Sequence, residues 1–172
     1  MQREDGYVIF RRNPEAKVKL FCFHHAGGSS LSMIPLVRNL PEEVEVYLFE
    51  LPGRGMSKNK PFVANYRDGK QFFLERVTAC IDRPTILLGH SLGGLFSYSL
   101  AVALAGDYQR FIKKLIVSST KSPRTVIKHA VHPVGPVVVR KVESIRNDMI
   151  RLGGLPQELA EDHELLKETI EV

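Results

Sequence analysis

The stretch ILLGHSLGG, residues 86–94, places a serine in the pattern G-x-S-x-G between two apolar segments. The pattern predicts a buried strand before Ser91 and a helix over 92–104. Ser91 then occupies a strained turn, and the helix must pack close to the strand, so the neighbouring positions need the small residues Gly89 and Gly93. The motif alone is short, but a strand before it and a helix after it are the context that it requires. We therefore expect Ser91 to be a nucleophile above the end of a sheet.

A serine that attacks an acyl group needs backbone N–H donors for the oxyanion that develops. The N–H of Leu92, at the start of the predicted helix, supplies one donor. The second is expected after an earlier strand, where FHHAGGSS at 23–30 contains glycines that let the backbone approach a ligand. We assign the second donor to Ala26, with Gly27 beside it. The sequence thus predicts an oxyanion hole formed by Ala26 and Leu92.

Three histidines lie near these motifs, His24 and His25 in the glycine loop and His90 beside the serine. In folds with this type of turn the chain order is serine, acid, histidine, so a base ahead of the serine would break that order. We therefore expect His24 and His25 to orient a loop or to line the pocket. Gly27 and His90 are candidates for the same role.

The first 122 residues alternate strand and helix patterns. Such alternation predicts an α/β fold with a mostly parallel sheet and flanking helices, in which ligands bind at the carboxyl ends of the strands. YVIF is expected to be a short edge strand. The predicted strands cover 7–10, 18–24, 44–51, 85–91 and 111–120, and the predicted helices cover 33–40, 66–81 and 92–104.

The composition is that of an ordinary globular protein, with 172 residues, 44% of them hydrophobic and 25% charged. No apolar run approaches the roughly 20 residues that span a bilayer. The start, MQREDGYVIF, lacks the pattern of a signal peptide, so we expect no membrane association and a cytoplasmic location. Cys22 and Cys80 are expected to be reduced packing residues, and no metal-ligand spacing is found.

The formal net charge of the chain is +5. Its basic residues are scattered and do not form a stripe interleaved with aromatic residues, which argues against nucleic-acid binding. A mild positive balance instead favours an acidic partner or substrate.

The pattern changes after Ser122. Several prolines within 123–136 predict a loop, and two amphipathic helices follow it. We interpret 1–122 as the core and 123–172 as a helical lid over the active site. The alternative is that these helices are ordinary crossover connections.

Four segments in a fixed order carry a family resemblance: HHAGGSS at 24–30, LPGRG at 51–55, GHSLGG at 89–94 and LGGLPQEL at 152–159. The chain resembles the stand-alone type II thioesterases of nonribosomal peptide and polyketide synthesis, and their relatives among fatty-acid synthase thioesterases. The resemblance implies an α/β-hydrolase fold with a lid insertion. It also implies hydrolysis of acyl or aminoacyl thioesters from the phosphopantetheine arm of an acyl or peptidyl carrier protein.

The resemblance assigns roles to single residues of this chain. It implies that Ser91 is the nucleophile, that Ala26 and Leu92 form the oxyanion hole, and that the enzyme is a monomer with no cofactor of its own. The carrier proteins that it implies as partners are generally acidic, which suits the net charge of +5. Arg54 in LPGRG is either a solvated charge on a tight turn or a contact to a phosphate or an acidic carrier.

The acid and the histidine of a triad are not identifiable in this sequence. In the α/β-hydrolase order both follow the serine, each after a further strand. We therefore expect the sequence to be a truncated form of a longer thioesterase, with the last strands missing and with little activity as written. The residues after Ser91 that could substitute are His129, His132 and His163 as bases and Asp107, Asp148 and Asp162 as acids.

Two other functions remain open from the sequence. A carboxylester hydrolase would use the same motif around Ser91, since the motif does not distinguish a thioester from an oxygen ester. A non-catalytic protein that binds carriers or acyl groups would need no triad.

Overall fold

The computed structural model describes residues 1–122, which form a six-stranded sheet with helices packed on it. The chain divides into two units, Met1–Pro123 and Arg124–Val172. The predicted lid region at 123–172 lies outside the described residues, and so do the candidate triad residues after Ser122.

The sheet is mixed and mostly parallel. Its strands follow the order β1-β2-β4-β3-β5-β6. Strand β2 pairs antiparallel with β1 and with β4, whereas β4, β3, β5 and β6 run parallel to one another. The strands are β1 Gln2–Glu4, β2 Tyr7–Arg11, β3 Val18–Phe23, β4 Val44–Phe49, β5 Thr85–His90 and β6 Ile112–Ser118.

Three α-helices connect the strands of the described region: α1 Ile34–Val37, α2 Tyr66–Cys80 and α3 Leu92–Ala103. A 3₁₀ turn over Ser30–Met33 precedes α1. Helix α2 begins after Asn65, whose side chain accepts a hydrogen bond from the Asp68 N–H at 3.0 Å and so caps a free backbone donor. None of these helices is long and apolar enough to cross a membrane.

The core has two layers because alternate residues of a strand face opposite sides of the sheet. In β3, Phe21 and Phe23 pack in the larger cluster with α2 and α3, while Leu20 and Cys22 pack in the smaller one with α1. A fully buried phenylalanine contributes about 1.5–3 kcal/mol relative to an exposed one. The predicted α/β class with flanking helices is thus confirmed for the described region.

Several predicted elements differ in detail from the structure. YVIF is not an edge strand, because the unpredicted β1 pairs with it; Gln2–Glu4 is short and exposed and has no apolar pattern to reveal it. The strand predicted over 111–120 ends at Ser118, since Ser119 has a φ of 51° and leaves the extended conformation. The strand over 44–51 ends at Phe49, and the helix over 33–40 is one α-helical turn after the 3₁₀ turn.

The parallel strands bring several chain segments to one edge of the sheet. The carboxyl ends of β3, β4, β5 and β6 lead into His24, Glu50, Ser91 and Ser119, respectively. Ligands of open α/β sheets bind at this edge. The fold therefore brings the glycine loop, the LPGRG loop and the serine turn to the same end of the sheet.

Helix α3 starts in direct contact with the backbone of β3. A Cβ atom added to Gly93 would overlap the carbonyl group of Phe23 and would lie 2.7 Å from the His24 carbonyl oxygen. A Cβ atom on Gly89 would overlap the backbone of Gly93 in turn. The two glycines of the motif are needed for this close packing, as the sequence predicts.

We predict that Gly93→Ala destabilises the protein, because the obstacle is backbone and cannot rotate away. Overpacking typically costs about 1–3 kcal/mol, and we expect a value at or above the upper end. Urea denaturation measures the free energy of unfolding. Gly106→Ala is the control, since a Cβ there meets nothing within 4 Å. Equal stabilities of the two variants would contradict the prediction.

Candidate active site

Ser91 lies between the end of β5 and the first residue of α3, with φ 53° and ψ −117°. A positive φ is costly for a residue with a side chain, on the order of 1–3 kcal/mol, and persists only where the surroundings enforce it. The residue is half-buried, so its side chain is accessible from outside. This is the strained strand-to-helix turn that the G-x-S-x-G pattern predicts.

Hydrogen bonds from the end of β6, from the residues after it and from α3 hold the backbone of Ser91. Its N–H donates to the Ser118 carbonyl oxygen at 2.8 Å, and its own carbonyl oxygen accepts from the Thr120 hydroxyl at 2.7 Å. The Gly94 N–H donates to the same carbonyl at 2.9 Å. Sequence analysis missed Thr120, since only the pairing of β6 with β5 brings it to the turn.

The two assigned oxyanion donors lie on adjacent segments. Leu92 is the first residue of α3 and Ala26 lies in the exposed loop after β3. Within residues 1–122 neither N–H has a hydrogen-bond acceptor. The contact of Gly93 with the His24 backbone brings the start of α3 beside this loop. Their assignment as oxyanion donors stays a prediction.

His24 is a buried residue that joins two loops. Its side chain is 4% exposed, and Nδ1 lies 2.7 Å from the His25 carbonyl oxygen. Because a carbonyl only accepts, Nδ1 carries the proton, and Nε2 accepts a long 3.4 Å contact from the Leu51 N–H. Burial lowers the pKa of His24 below its usual value. The neutral ring thus links the glycine loop to the start of LPGRG.

His25 and His90 form a second pair at the same edge. Their ring centres are 5.6 Å apart at an interplanar angle of 85°, and His90 Nδ1 lies 3.1 Å from the Ser118 hydroxyl oxygen. Burial lowers the pKa of His25, and the neighbouring His90 adds to the effect. Neither ring is hydrogen-bonded to the Ser91 hydroxyl within residues 1–122. The structure brings both histidines to the edge that holds Ser91, and their role stays a prediction.

Glu50 is a second residue that sequence analysis missed. It directly follows β4, is 2% exposed and accepts hydrogen bonds from Ser30 and Ser57. A charged residue at the end of the apolar run VEVYLF was the available signal. Arg54 follows in the same loop, and its guanidinium lies 4.9 Å from the centre of the Phe62 ring.

The described region does not supply a triad acid from the candidates named above. Asp107 is exposed and lies beyond the carboxyl end of α3. The helix has 12 residues, and at 1.5 Å per residue this places the aspartate about 18 Å or more from the Ser91 end. No group of three potential metal ligands occurs within residues 1–122.

We predict that His24 makes stability depend on pH between about pH 7 and pH 5.5. Its pKa is lowered in the folded state, so the unfolded chain binds more protons in this range and the free energy of unfolding falls as the pH falls. His24→Gln should show a smaller decrease than the wild type in urea denaturation across this range. An unchanged pH dependence would contradict the assignment.

We also predict that Thr120→Val lowers the free energy of unfolding by about 1 kcal/mol, the usual net value of one hydrogen bond. The substitution keeps the shape of the side chain and removes the hydroxyl, which donates to the Ser91 carbonyl oxygen at 2.7 Å and also lies 3.1 Å from the Ser118 carbonyl oxygen. Thr120→Ser keeps the hydroxyl and should stay close to the wild type. The free energies of unfolding of the wild type and the two variants are compared by thermal or urea denaturation. An equal loss of stability in Thr120→Val and Thr120→Ser would rule out the hydrogen bond as the cause.

Several known proteins are similar to this chain in sequence or in fold. The chain is 28% identical over 160 residues to the medium-chain S-acyl fatty acid synthase thioesterase of Rattus norvegicus. This match covers 91% of this chain and 59% of the rat protein. It is 27% identical over 160 residues to the gramicidin S biosynthesis protein GrsT of Aneurinibacillus migulanus, covering 93% of this chain and 60% of that protein. The chain thus spans about three fifths of the length of these relatives.

A solved structure with a similar fold is the type II thioesterase BorB from the borrelidin biosynthetic cluster. The TM-score is 0.76 at 21% sequence identity, and the match covers 99% of this chain and 67% of BorB. The family model for the thioesterase domain matches residues 18–172, which is most of the chain. With the serine turn and the α/β sheet in place, this match shows that the chain belongs to the thioesterase domain family.

Proposed function

We propose that Ser91 attacks the carbonyl carbon of a thioester and forms an acyl-enzyme that water then hydrolyses. The observation that carries the proposal is the strained conformation of Ser91 between β5 and the start of α3. We assign to it the N–H groups of Leu92 and Ala26, which have no acceptor within residues 1–122. The bond from Ser91 Oγ to the carbonyl carbon forms first and gives a tetrahedral intermediate. The C–S bond breaks as this intermediate collapses, and the thiol leaves with the proton that the serine hydroxyl gave up. Membership of the thioesterase domain family supports this reaction over other acyl transfers.

The oxyanion of each tetrahedral intermediate would be bound by the N–H groups of Ala26 and Leu92. Fixed donors act here because they are aligned before the charge develops, and removal of one typically costs about 2.7–4 kcal/mol of transition-state stabilisation. The positive end of the α3 dipole adds to the same effect. Both donors are backbone groups, so their positions depend on the loop and the helix start rather than on side-chain rotamers.

The substrate proposed is an acyl or aminoacyl group on the phosphopantetheine arm of an acyl or peptidyl carrier protein. Support comes from the relatives, one a fatty acid synthase thioesterase and another a gramicidin S biosynthesis protein. The net charge of +5 favours association with an acidic carrier. The enzyme would act in the cytoplasm as a monomer, with no cofactor beyond the arm of its partner.

The base that accepts the Ser91 proton is to be sought outside residues 1–122. Within that range no histidine ring is hydrogen-bonded to the Ser91 hydroxyl, and His24 uses both ring nitrogens elsewhere. His129, His132 and His163 are the candidates inside this sequence. The relatives are longer than this chain, so a longer form of the protein is the second place to look.

We predict that release of free thiol from a short acyl-pantetheine thioester depends on Ser91, so that Ser91→Ala abolishes the release that this chain shows. Ser99→Ala is the matched control, since Ser99 lies on the same helix and bonds the Tyr66 hydroxyl at 2.8 Å, away from the turn. Thiol release is followed with a chromogenic disulfide. A wild-type rate no higher than that of Ser91→Ala would contradict the proposal for this chain.

The oxygen ester of the same acyl group separates the proposed reaction from that of a carboxylester hydrolase. We expect a higher kcat/KM for the thioester. A preference for the oxygen ester would favour the alternative enzyme.

A further inference from the structure

Glu50 is a buried carboxylate for which the proposed reaction has no direct use. It is 2% exposed and lies directly after β4. One oxygen, Oε2, accepts from the Ser30 N–H at 2.9 Å and from the Ser30 hydroxyl at 2.7 Å. The other, Oε1, accepts from the Ser57 N–H at 3.0 Å. Each carboxylate oxygen therefore accepts at least one hydrogen bond, and the carboxylate accepts three in total.

Through Ser30, the hydrogen bonds to Glu50 fix one end of the glycine loop. Ser30 is fully buried. It is the first residue of the 3₁₀ turn Ser30–Met33, which directly follows the glycine loop. The loop, residues 24–29, is fixed at its first end by β3 and by the buried His24. Its second end is fixed by the carboxylate of Glu50. Ala26, whose N–H has no acceptor within residues 1–122, lies between the two anchors.

The same carboxylate also holds the LPGRG loop. Ser57 ends the short 3₁₀ turn Gly55–Ser57, and its N–H bonds Glu50. Gly55 has a φ of 44°, and a Cβ atom added there would overlap Glu50 Oε2. The turn therefore wraps closely around the carboxylate, and one side chain links the two loops at the carboxyl edge of the sheet.

We propose that Glu50 is a positioning residue that holds the Ala26 N–H in place for the oxyanion by anchoring Ser30. The inference rests on the proposed function, since it assigns Glu50 to the oxyanion hole of that reaction. Donors must lie about 2.7–3.1 Å from the developing oxyanion, so a small displacement of the loop removes most of the benefit. Glu50 does not touch the substrate and acts through Ser30.

A glutamine cannot replace this carboxylate. Its amide has one acceptor oxygen and an NH₂ group that only donates. In either orientation the NH₂ group of Glu50→Gln would face an N–H of Ser30 or of Ser57. The substitution keeps size and shape, so it tests the acceptor oxygens rather than the packing.

Glu45, near the start of β4, provides a matched control. It is 4% exposed, and its Oε2 pairs with Lys19 Nζ at 3.8 Å. It lies five positions before Glu50, about 17 Å away along the extended chain. Glu45→Gln is thus the same change in an equally buried carboxylate at the far end of the sheet.

The test compares wild type, Glu50→Gln and Glu45→Gln in thioester hydrolysis and in amide hydrogen exchange. We expect Glu50→Gln to lower kcat by about 10-fold to 100-fold with little change in KM, because the lost interaction forms only in the transition state. Exchange of the amides at 26–30 should become faster in this variant alone. Glu45→Gln should keep the wild-type kcat and the wild-type exchange in this loop.

Two outcomes would overturn the inference: unchanged exchange at 26–30 in Glu50→Gln, or an equal loss of kcat in Glu45→Gln. If Glu50→Gln does not fold, Ser30→Ala removes the 2.7 Å hydroxyl bond alone and is measured in the same way. Exchange needs no turnover, so faster exchange in a protein whose wild type releases no thiol would support the anchor and refute the proposed function.

Discussion

The start of α3 lies on the backbone at the end of β3, and this contact is possible only because residue 93 has no side chain. The contact brings the start of the helix to the glycine loop and thereby places the two assigned oxyanion donors on adjoining segments. It also forces the chain to turn sharply between β5 and α3. The positive φ of Ser91 is the local cost of that turn.

Neighbouring strands offset that cost. The carbonyl oxygen of Ser118 and the hydroxyl of Thr120 hold Ser91 from the side of β6, while Glu50 and His24 hold the glycine loop from the side of β4. Each anchor lies at, or directly after, the carboxyl end of a parallel strand. The sheet therefore positions the site from two sides, because groups at the end of β6 hold the strained serine turn and groups after β3 and β4 hold the glycine loop.

The parts of the site that could be predicted depend on residues that lie close together in the sequence. Gly89, Ser91 and Gly93 follow one another within five positions, and the alternation of apolar runs predicted α2, α3 and the parallel strands. The parts that could not be predicted depend on distant pairings. Thr120 reaches Ser91 only through β5–β6 pairing, β1 has no apolar pattern, and nothing near Glu50 in the sequence indicates that Ser30 is its partner.

The anchoring of Ser91 by Ser118 and Thr120 has a consequence for how the protein is made. On the ribosome the whole G-x-S-x-G motif is synthesised about 25 residues before the groups that complete its geometry, roughly one to five seconds at the usual rate of elongation. Until β6 pairs with β5, a nascent chain carries the motif without two of the hydrogen bonds that hold the serine in the described structure. Ser91 therefore reaches the described conformation only after β6 has been synthesised and has paired with β5.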